Sequence, residues 1–548
     1  MAHALAGKPV QEQDIIDVQT IVDAYFDNVP DMTNPTQLVS FGTSGHRGTS
    51  VDGTFTDLHV AAITQAICDS RKQFGATGPI FVGQDTHALS QPALVTVLEV
   101  LAGNGVTAMV DCDMDFVPTP SVSRAIIRYN EEHDDKADGI IITPSHNPPD
   151  NGGIKYNTII GGPADTVVTK WIEMRANEYL TAYCESEDFK RISIDNIEPT
   201  AQVPYDYKGL YVEELGDVIN MEAIKAAGPK VLVDTLGGSG ASYWNAIKER
   251  YGLDLTIIHD DYDPTFSFMT YDHDGKVRMD CSSTYVMASV INRIGDFDLA
   301  VGNDPDYDRY GIVVSSGLIS ANTFLTLAAR YLFTTRGWKN KGVGKTVVCT
   351  TMIDKWAADA ETPVFEVPVG FKYFSQLLFD GAIGIGGEES AGASFLKKDG
   401  TVWTTDKDGM IMALLSMEIM AVMGKSALKM ADESLEEFGN PSFGRIDAPC
   451  KKEQKQILKQ MSAELITATT VDGDPITNIR TTSLYNDMPI DGVRVETDKG
   501  WFVARPSGTE DLYKIYGESY KGDLGLVALL TAGEEIVNAA LNGTIETE

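Results

Sequence analysis

The sequence predicts a multidomain α/β protein that ends in a smaller α+β domain. Three observations carry this expectation. The chain has 548 residues, which at about 150 residues per domain leaves room for roughly three to four domains with proper apolar cores. Short apolar runs alternate with amphipathic stretches through most of its length, the pattern of βα units whose sheets are covered on both faces. The C-terminal part changes to closely spaced strands followed by one long helix.

Taken in order, Pro79–Gly83 reads as a strand, Gln91–Leu101 as a helix, Val106–Val110 as a strand, Ser121–Tyr129 as a helix and Gly139–Thr143 as a third apolar strand. The alternation returns with a strand at Lys230–Asp234, a glycine-rich turn, a helix near Tyr243–Arg250, and strands at Leu255–Ile258 and Phe297–Gly302. A helix over Thr323–Phe333 and strands at Thr346–Thr350 and Ile383–Gly386 continue it. Met410–Met423 is the most apolar long segment, but it contains Glu418. It is shorter than the roughly 20 residues a membrane span needs, so it reads as a buried core helix. Val493–Glu496, Gly500–Ala504 and Leu512–Glu518 form a meander, and a helix over Leu524–Leu541 follows. The boundaries fall in Ser186–Lys208, Ser315–Asn322 and Glu437–Pro441.

Composition excludes several classes. Lys and Arg number 44 against 79 Asp and Glu, a formal net charge of −35. That balance opposes non-specific binding to nucleic acid or anionic membrane, which needs clustered positive charge. A hydrophobic share of 43% with 22% charged residues is ordinary for a globular protein. The six cysteines, Cys68, Cys112, Cys184, Cys281, Cys349 and Cys450, form no C-x-x-C pair and read as reduced thiols. Met1–Thr20 has no basic stretch followed by an apolar core, so the expectation is a cytoplasmic protein without a signal peptide.

Four stretches carry chemistry. Thr143–Pro149 (T-P-S-H-N-P-P) begins where an apolar strand ends, the place where open α/β sheets bind ligands. It displays Ser145 beside His146, with Lys155 downstream, and a serine among cations can carry a phosphoryl group. Asn303–Arg309 (N-D-P-D-Y-D-R) also follows a strand, and alternation points Asp304, Asp306 and Asp308 to one side. Such carboxylates need a cation, and an all-oxygen set suits Mg²⁺ or Ca²⁺. An EF-hand is excluded, because Arg309 stands where it needs Gly and Ser315 where it needs Glu. Ile385–Gly392 (I-G-G-E-E-S-A-G) offers acidic and hydroxyl groups of the kind that hold sugar hydroxyls. Downstream, Lys407 precedes Asp408 and Gly409 at the head of the apolar helix, and a lysine can move protons. Arg505–Glu510 (R-P-S-G-T-E) offers a guanidinium fork, hydroxyls and backbone N–H groups to a phosphate. Phe41–Gly48 (F-G-T-S-G-H-R-G) has the same character. Leu236–Gly240 (L-G-G-S-G) fits a dinucleotide fingerprint poorly, since Tyr243 occupies a required glycine position, and reads as a structural βα turn.

Together and in this order, these motifs resemble those of the phosphohexomutase superfamily, and within it the bacterial phosphoglucomutases, from Phe41 to about Tyr516. The resemblance implies a heart-shaped four-domain architecture, three related α/β domains plus a smaller α+β C-terminal domain. The domains would be 1–207 with the phosphoserine loop, 208–321 with the metal loop, 322–440 with the sugar loop and 441–548 with the phosphate loop. It implies interconversion of glucose 1-phosphate and glucose 6-phosphate through a phosphoserine at Ser145 and a glucose 1,6-bisphosphate intermediate. One Mg²⁺ per chain would be held by Asp304, Asp306, Asp308 and the phosphoserine oxygen of Ser145. Lys407 resembles the proton shuttle, although a second K-D-G occurs at Lys398–Gly400. His146 and Lys155 match catalytic cleft positions, and Thr43, Arg47 and Arg309 match substrate-lining ones. Glu388 and Ser390 resemble the sugar-binding pair, and Arg505, Ser507, Gly508 and Thr509 the distal phosphate loop. Glu366–Lys372 (E-V-P-V-G-F-K) resembles the loop that distinguishes hydroxyl orientations. Val369 stands there where animal relatives carry Thr, so any contact comes from backbone. The implied partners are hexose phosphates, with no nucleic acid or membrane, acting on a monomer or homodimer.

Two competing functions follow from the same residues. A dehalogenase-type phosphatase would use Asp304 as nucleophile, but Asp308 stands where that family needs Thr or Val. A metal-dependent sugar-phosphate-binding protein would bind without turnover.

Overall fold

The computed structural model describes residues 2–42, 44–184, 189–507 and 512–542. The chain divides into two compact units. The first comprises Met1–Ser320, Phe374–Gly381 and Ser390–Leu428, and the second Ala321–Tyr373, Ala382–Glu389 and Lys429–Glu548.

Two sheets build the first unit. Strands β1 (Gly45–Thr49), β2 (Ile80–Gln84), β3 (Ala108–Asp111), β4 (Asp138–Ile142), β5 (Asn151–Asn157) and β6 (Gln202–Tyr205) form a six-stranded sheet in the order β1-β5-β4-β2-β3-β6. Strands β4, β2, β3 and β6 run parallel, while β1 and β5 close one side antiparallel. Helices Asp57–Ser70, Ser90–Gly103, Thr119–Glu132 and Thr166–Cys184 accompany the sheet. Every residue of β2 and β4 is buried, as near-continuous apolar runs require of a sheet covered on both faces. The second sheet holds β7 (Val231–Asp234), β8 (Leu255–Ile258), β9 (Leu299–Gly302), β10 (Gly311–Val314) and β11 (Gly317–Leu318) in the order β11-β10-β9-β7-β8. Here β7, β8 and β9 are parallel.

The segment expected to be a core helix is one. Gly409–Met423 is buried along Gly409–Ile419, as a helix apolar all round must be. Asp408 caps it by accepting the Ile411 N–H at 3.1 Å. Tyr211 Oη and Trp403 Nε1 also donate to this carboxylate, at 2.8 Å each. Burial raises the Asp408 pKa to about 6 against those bonds.

In the second unit β12 (Gly342–Thr346), β13 (Val364–Val367) and β14 (Ile383–Gly387) lie parallel in the order β13-β12-β14. The strand expected at Thr346–Thr350 is therefore displaced towards the N-terminus. Gly342 and Gly344 carry no side chains to mark it, so the apolar Val347–Cys349 that follows drew the expectation. Adding β15 (Ala393–Phe395) of the first unit completes the chain order up to the C-terminal sheet. That sheet has six antiparallel strands: β16 (Ser442–Pro449), β17 (Thr470–Val471), β18 (Asp474–Thr482), β19 (Pro489–Thr497), β20 (Gly500–Pro506) and β21 (Leu512–Ser519). The expected meander is its β19-β20-β21 core. Helix Gly522–Leu541 is long and apolar enough to cross a membrane by length and composition. It packs Leu529, Leu530, Val537 and Ala540 against Phe502, Ala504 and Ile515 of this sheet, as a core helix does.

Two histidines of the first unit tie stability to pH. His46 and His59 are buried and stacked with centroids 5.3 Å apart. His59 Nε2 bonds the Gln37 carbonyl at 2.8 Å, and its Nδ1 the Thr56 hydroxyl at 2.9 Å. Burial and the neighbouring ring push the His59 pKa down from 6.5 to about 3. Between these values the unfolded chain binds a proton that the folded chain refuses. Stability should thus be complete above about pH 6.5 and fall with acidification by up to roughly 1.4 kcal/mol per pH unit. Urea midpoints at pH 7.0, 6.0 and 5.0 check this. His59→Gln should flatten the dependence, and an equally steep fall in that variant would contradict it.

Candidate active site

The loops around Ser145 and Asp304 meet. Ser145 follows β4, is 2% exposed, and its backbone adopts φ +63°. A non-glycine residue in this left-handed region stores strain of about 1–3 kcal/mol, which persists only where surrounding contacts impose it. Its N–H donates to Thr143 Oγ1 at 2.7 Å. Its Oγ donates to Asp304 Oδ2 at 2.8 Å, across 159 residues of sequence. His146 Nδ1 lies 3.4 Å from the same hydroxyl.

Asp304, Asp306 and Asp308 follow β9 and are fully buried, with ligand atoms within 4.8 Å of one another. The turn carries its own strained residue, Tyr307 at φ +63°. The glycine-rich turn 236–240 packs beneath it. A Cβ at Gly240 would stand 2.4 Å from the Tyr307 ring, and Ser239 Oγ donates to the Pro305 carbonyl at 2.8 Å. That turn supports the acidic loop, as the poor dinucleotide match led one to expect.

The trio suits a hard divalent cation. Among the described residues Asp306 Oδ1 and Asp308 Oδ1 are buried without a hydrogen-bond partner, a state whose cost a bound cation would offset. Burial, with Asp306 and Asp308 beside it, drives the Asp304 pKa well above the carboxylate range. Burial acts on Asp308 in the same direction, but Lys155, Lys407 and Arg309 outweigh it and hold that carboxyl well below. Lys155 Nζ lies 2.5 Å from Asp306 Oδ2 and 3.1 Å from Asp308 Oδ2. Thr119 Oγ1 also donates to Asp306 Oδ2 at 2.8 Å.

Of the two K-D-G lysines, Lys407 joins this cluster, with Nζ 2.8 Å from Asp308 Oδ2. Lys398 Nζ instead reaches the Ile219 carbonyl at 3.5 Å. Arg309 N donates to Asp304 Oδ1 at 2.9 Å, and its guanidinium pairs with Asp280 Oδ2 at 3.0 Å. Arg47, on β1 opposite Gly153, is half-buried in the field of Asp306 and Asp308. Asp280 is a site residue that the motifs did not reveal. It faces Arg309 and lies 3.9 Å from His146 Nε2, and the Arg309 charge, with hydrogen bonds from Ser282, overcomes burial to hold its pKa low. Thr119, at the head of a helix, was missed likewise. Neither stands in a spacing pattern, so only the fold brings them in.

Ser390 lies in the first unit, next to Ala391 at φ +65°. The Ala391 carbonyl accepts the Tyr310 N–H at 3.1 Å, so this turn sits against the end of the acidic loop. The remaining described candidates belong to the second unit. Glu388 follows β14 and is buried. Val369 packs against the cluster of Val347, Trp501, Val503 and Tyr516, so its side chain is engaged by the core. Arg505 is the penultimate residue of β20, buried, with Nε lacking a partner among the described residues. Ser507 donates its N–H to the Leu512 carbonyl at 2.8 Å. Thr43, Gly508 and Thr509 lie outside the described residues.

Four models of the phosphoglucomutase/phosphomannomutase family match the chain: α/β/α domain I at 38–182, domain II at 210–317, domain III at 320–438 and the C-terminal domain at 447–524. The chain belongs to this family. It therefore has the family's four-domain α/β architecture. It is 46% identical over 539 residues to a phosphoglucomutase of Komagataeibacter xylinus, covering 97% of each chain. It is 26% identical over 526 residues to phosphoglucomutase 1 of Saccharomyces cerevisiae, covering 88% of each. Among solved structures, Paramecium parafusin, a phosphoglucomutase, superposes with a TM-score of 0.71 at 20% identity over 94% of this chain and 96% of its own. A family protein from Burkholderia thailandensis gives 0.69 at 21% identity over 93% and 100%. At these identities the structural likeness speaks for the fold.

Proposed function

We propose that this member of the phosphoglucomutase/phosphomannomutase family interconverts α-D-glucose 1-phosphate and glucose 6-phosphate by way of phosphorylated Ser145. The observation that carries the site assignment is the 2.8 Å contact between Ser145 Oγ and Asp304 within a buried carboxylate trio. The near full-length similarity to a bacterial phosphoglucomutase supports the choice of substrate. We assign 1–207, 208–321, 322–440 and 441–548 to the four domains, each bringing one loop.

Asp304, Asp306, Asp308 and the phosphoserine oxygen would hold Mg²⁺, which when bound supplies charge neutralisation for phosphoryl transfer. The chain's own residues do the rest. Ser145 passes its phosphoryl group to the free hydroxyl of the hexose phosphate, giving glucose 1,6-bisphosphate. The bisphosphate turns around, and Ser145 takes the other phosphoryl group. Lys407, beside Asp308, takes the proton leaving the substrate hydroxyl and returns one to the new hydroxyl. Arg47, Lys155 and Arg309 place positive charge around the transferring group, and His146 lines the cleft beside the Ser145 hydroxyl. Glu388 and Ser390 bind sugar hydroxyls, and the Glu366–Lys372 loop reads their orientation through its backbone. Arg505 and Ser507, with Thr43, Gly508 and Thr509, complete the substrate contacts, Arg505 gripping the phosphate that does not react.

A coupled assay with glucose 1-phosphate, Mg²⁺ and a trace of bisphosphate tests the function, and absence of glucose 6-phosphate would end it. For Arg505→Ala, loss of a bidentate charged contact worth about 1.5–3 kcal/mol should raise KM roughly tenfold to a hundredfold. Steady-state kinetics with unchanged kcat/KM would remove Arg505 from that role.

A further inference from the structure

The strained turn at Ser145 is gripped from a direction the mechanism above does not use. Strand β2 ends at Gln84, level with Ile142 of β4. Asp85 comes next, fully buried, and its N–H donates to the Ile142 carbonyl at 3.0 Å. Its Oδ2 accepts the Thr143 hydroxyl at 2.6 Å. That hydroxyl oxygen in turn accepts the Ser145 N–H at 2.7 Å. Ser90 Oγ and the His87 N–H donate to Asp85 Oδ1 at 2.6 and 3.0 Å. His87 Nδ1 lies 2.9 Å from Asp85 Oδ2, and Nε2 lies 3.0 Å from the Asn147 carbonyl. Both of those partners only accept, so both ring nitrogens carry a hydrogen. The turn is thereby held two residues before Ser145 through Thr143 and two residues after it through Asn147, by one buried carboxylate and its histidine.

We propose that Asp85 and His87 are positioning residues, which hold the Ser145 backbone in its left-handed conformation and so keep the hydroxyl aimed at Asp304. The chemistry requires this because a misplacement of about 1 Å at a reacting group can cost roughly a hundredfold in rate. Neither residue touches the carboxylate trio, so the effect should fall on the chemical step and spare substrate binding. The inference rests on the mutase function proposed above for its kinetic consequence.

Three variants test it. Asp85→Asn keeps size but loses acceptor capacity. Thr143→Val removes the relaying hydroxyl at similar volume, and Thr143→Ser keeps it. Asp85→Asn and Thr143→Val should lower kcat by roughly tenfold to a hundredfold with KM within about threefold of wild type, and Thr143→Ser should stay within about threefold in kcat. If Asp85→Asn does not fold, the two Thr143 variants decide. A Thr143→Val protein with wild-type kcat, or one whose whole loss lies in KM, overturns the proposal. Hydrogen–deuterium exchange of the 143–151 segment gives a second readout that needs no turnover. Faster exchange in Thr143→Val than in wild type and Thr143→Ser supports the clamp, and identical exchange in all three overturns it. Should wild type lack mutase activity, the proposed function fails and the exchange result alone judges the clamp.

Discussion

Replacing Ser145 with alanine should remove turnover by roughly a thousandfold or more, as expected when the group that forms a covalent intermediate is deleted. The fold should survive. The substitution deletes the hydroxyl's bond to Asp304 Oδ2, worth about 1 kcal/mol, and its long 3.4 Å contact with His146 Nδ1. Asp304 keeps the bond from the Arg309 N–H, and Thr143 Oγ1 still accepts the residue 145 N–H. Circular dichroism and a melting curve close to wild type, with glucose 6-phosphate formation at background, are the expected pair of results. Intact mass after incubation with glucose 1,6-bisphosphate should show one added phosphate on wild type and none on the variant. That phosphate should resist hydroxylamine, which cleaves an aspartyl phosphate but leaves a phosphoserine. Near wild-type turnover in Ser145→Ala, or a hydroxylamine-labile phosphate, would transfer the covalent role elsewhere.

Chelation with EDTA should also reduce turnover to background, and excess Mg²⁺ should restore it. Stability adds a sharper signature. Burial, together with repulsion from Asp306 and Asp308, holds the Asp304 carboxyl well above the carboxylate range. Any ion that binds the folded chain alone raises its melting temperature with concentration. Asp304→Asn removes one of the repelling charges; its amide oxygen can still accept the Arg309 N–H, while its NH2 donates to the Ser145 hydroxyl oxygen. Its cation-free form should melt at or above the cation-free wild type, while Mg²⁺ should raise its midpoint less. Turnover should fall by roughly a thousandfold, since metal-assisted charge stabilisation supplies several kcal/mol. Full activity in EDTA would overturn this assignment. A marked loss of stability in cation-free Asp304→Asn would show that the trio is structural.

Much of this arrangement was legible in the sequence where side chains announce their environment. Buried parallel strands such as Ile80–Gln84 and Asp138–Ile142 are nearly all apolar, so they stand out. Strands Gly45–Thr49 and Asn151–Asn157 do not. They are rich in glycine and polar residues, pair antiparallel with one another, and draw stability from ladder bonds and their place beside the site. The Asp trio was readable because alternation in one loop brings its members together. Asp280 and Asp85 were not, because each works through a partner distant in sequence, Arg309 and Thr143 respectively. Of the two K-D-G lysines, the apolar helix that follows Lys407 favoured it in the sequence, and the fold places its amine beside Asp308. Resemblance of motifs in order supplied the domain count, which strand patterns allowed without requiring.

The positive φ at Ser145 also bears on which alcohol this backbone can present. Threonine carries the same functional group, but its extra methyl on Cβ is penalised in left-handed geometry, where branched residues are outliers. Tyrosine would place its oxygen several bonds further out. The conformation therefore acts as a stereochemical filter, admitting the smallest hydroxyl-bearing residue to position 145 before any question of nucleophilicity arises.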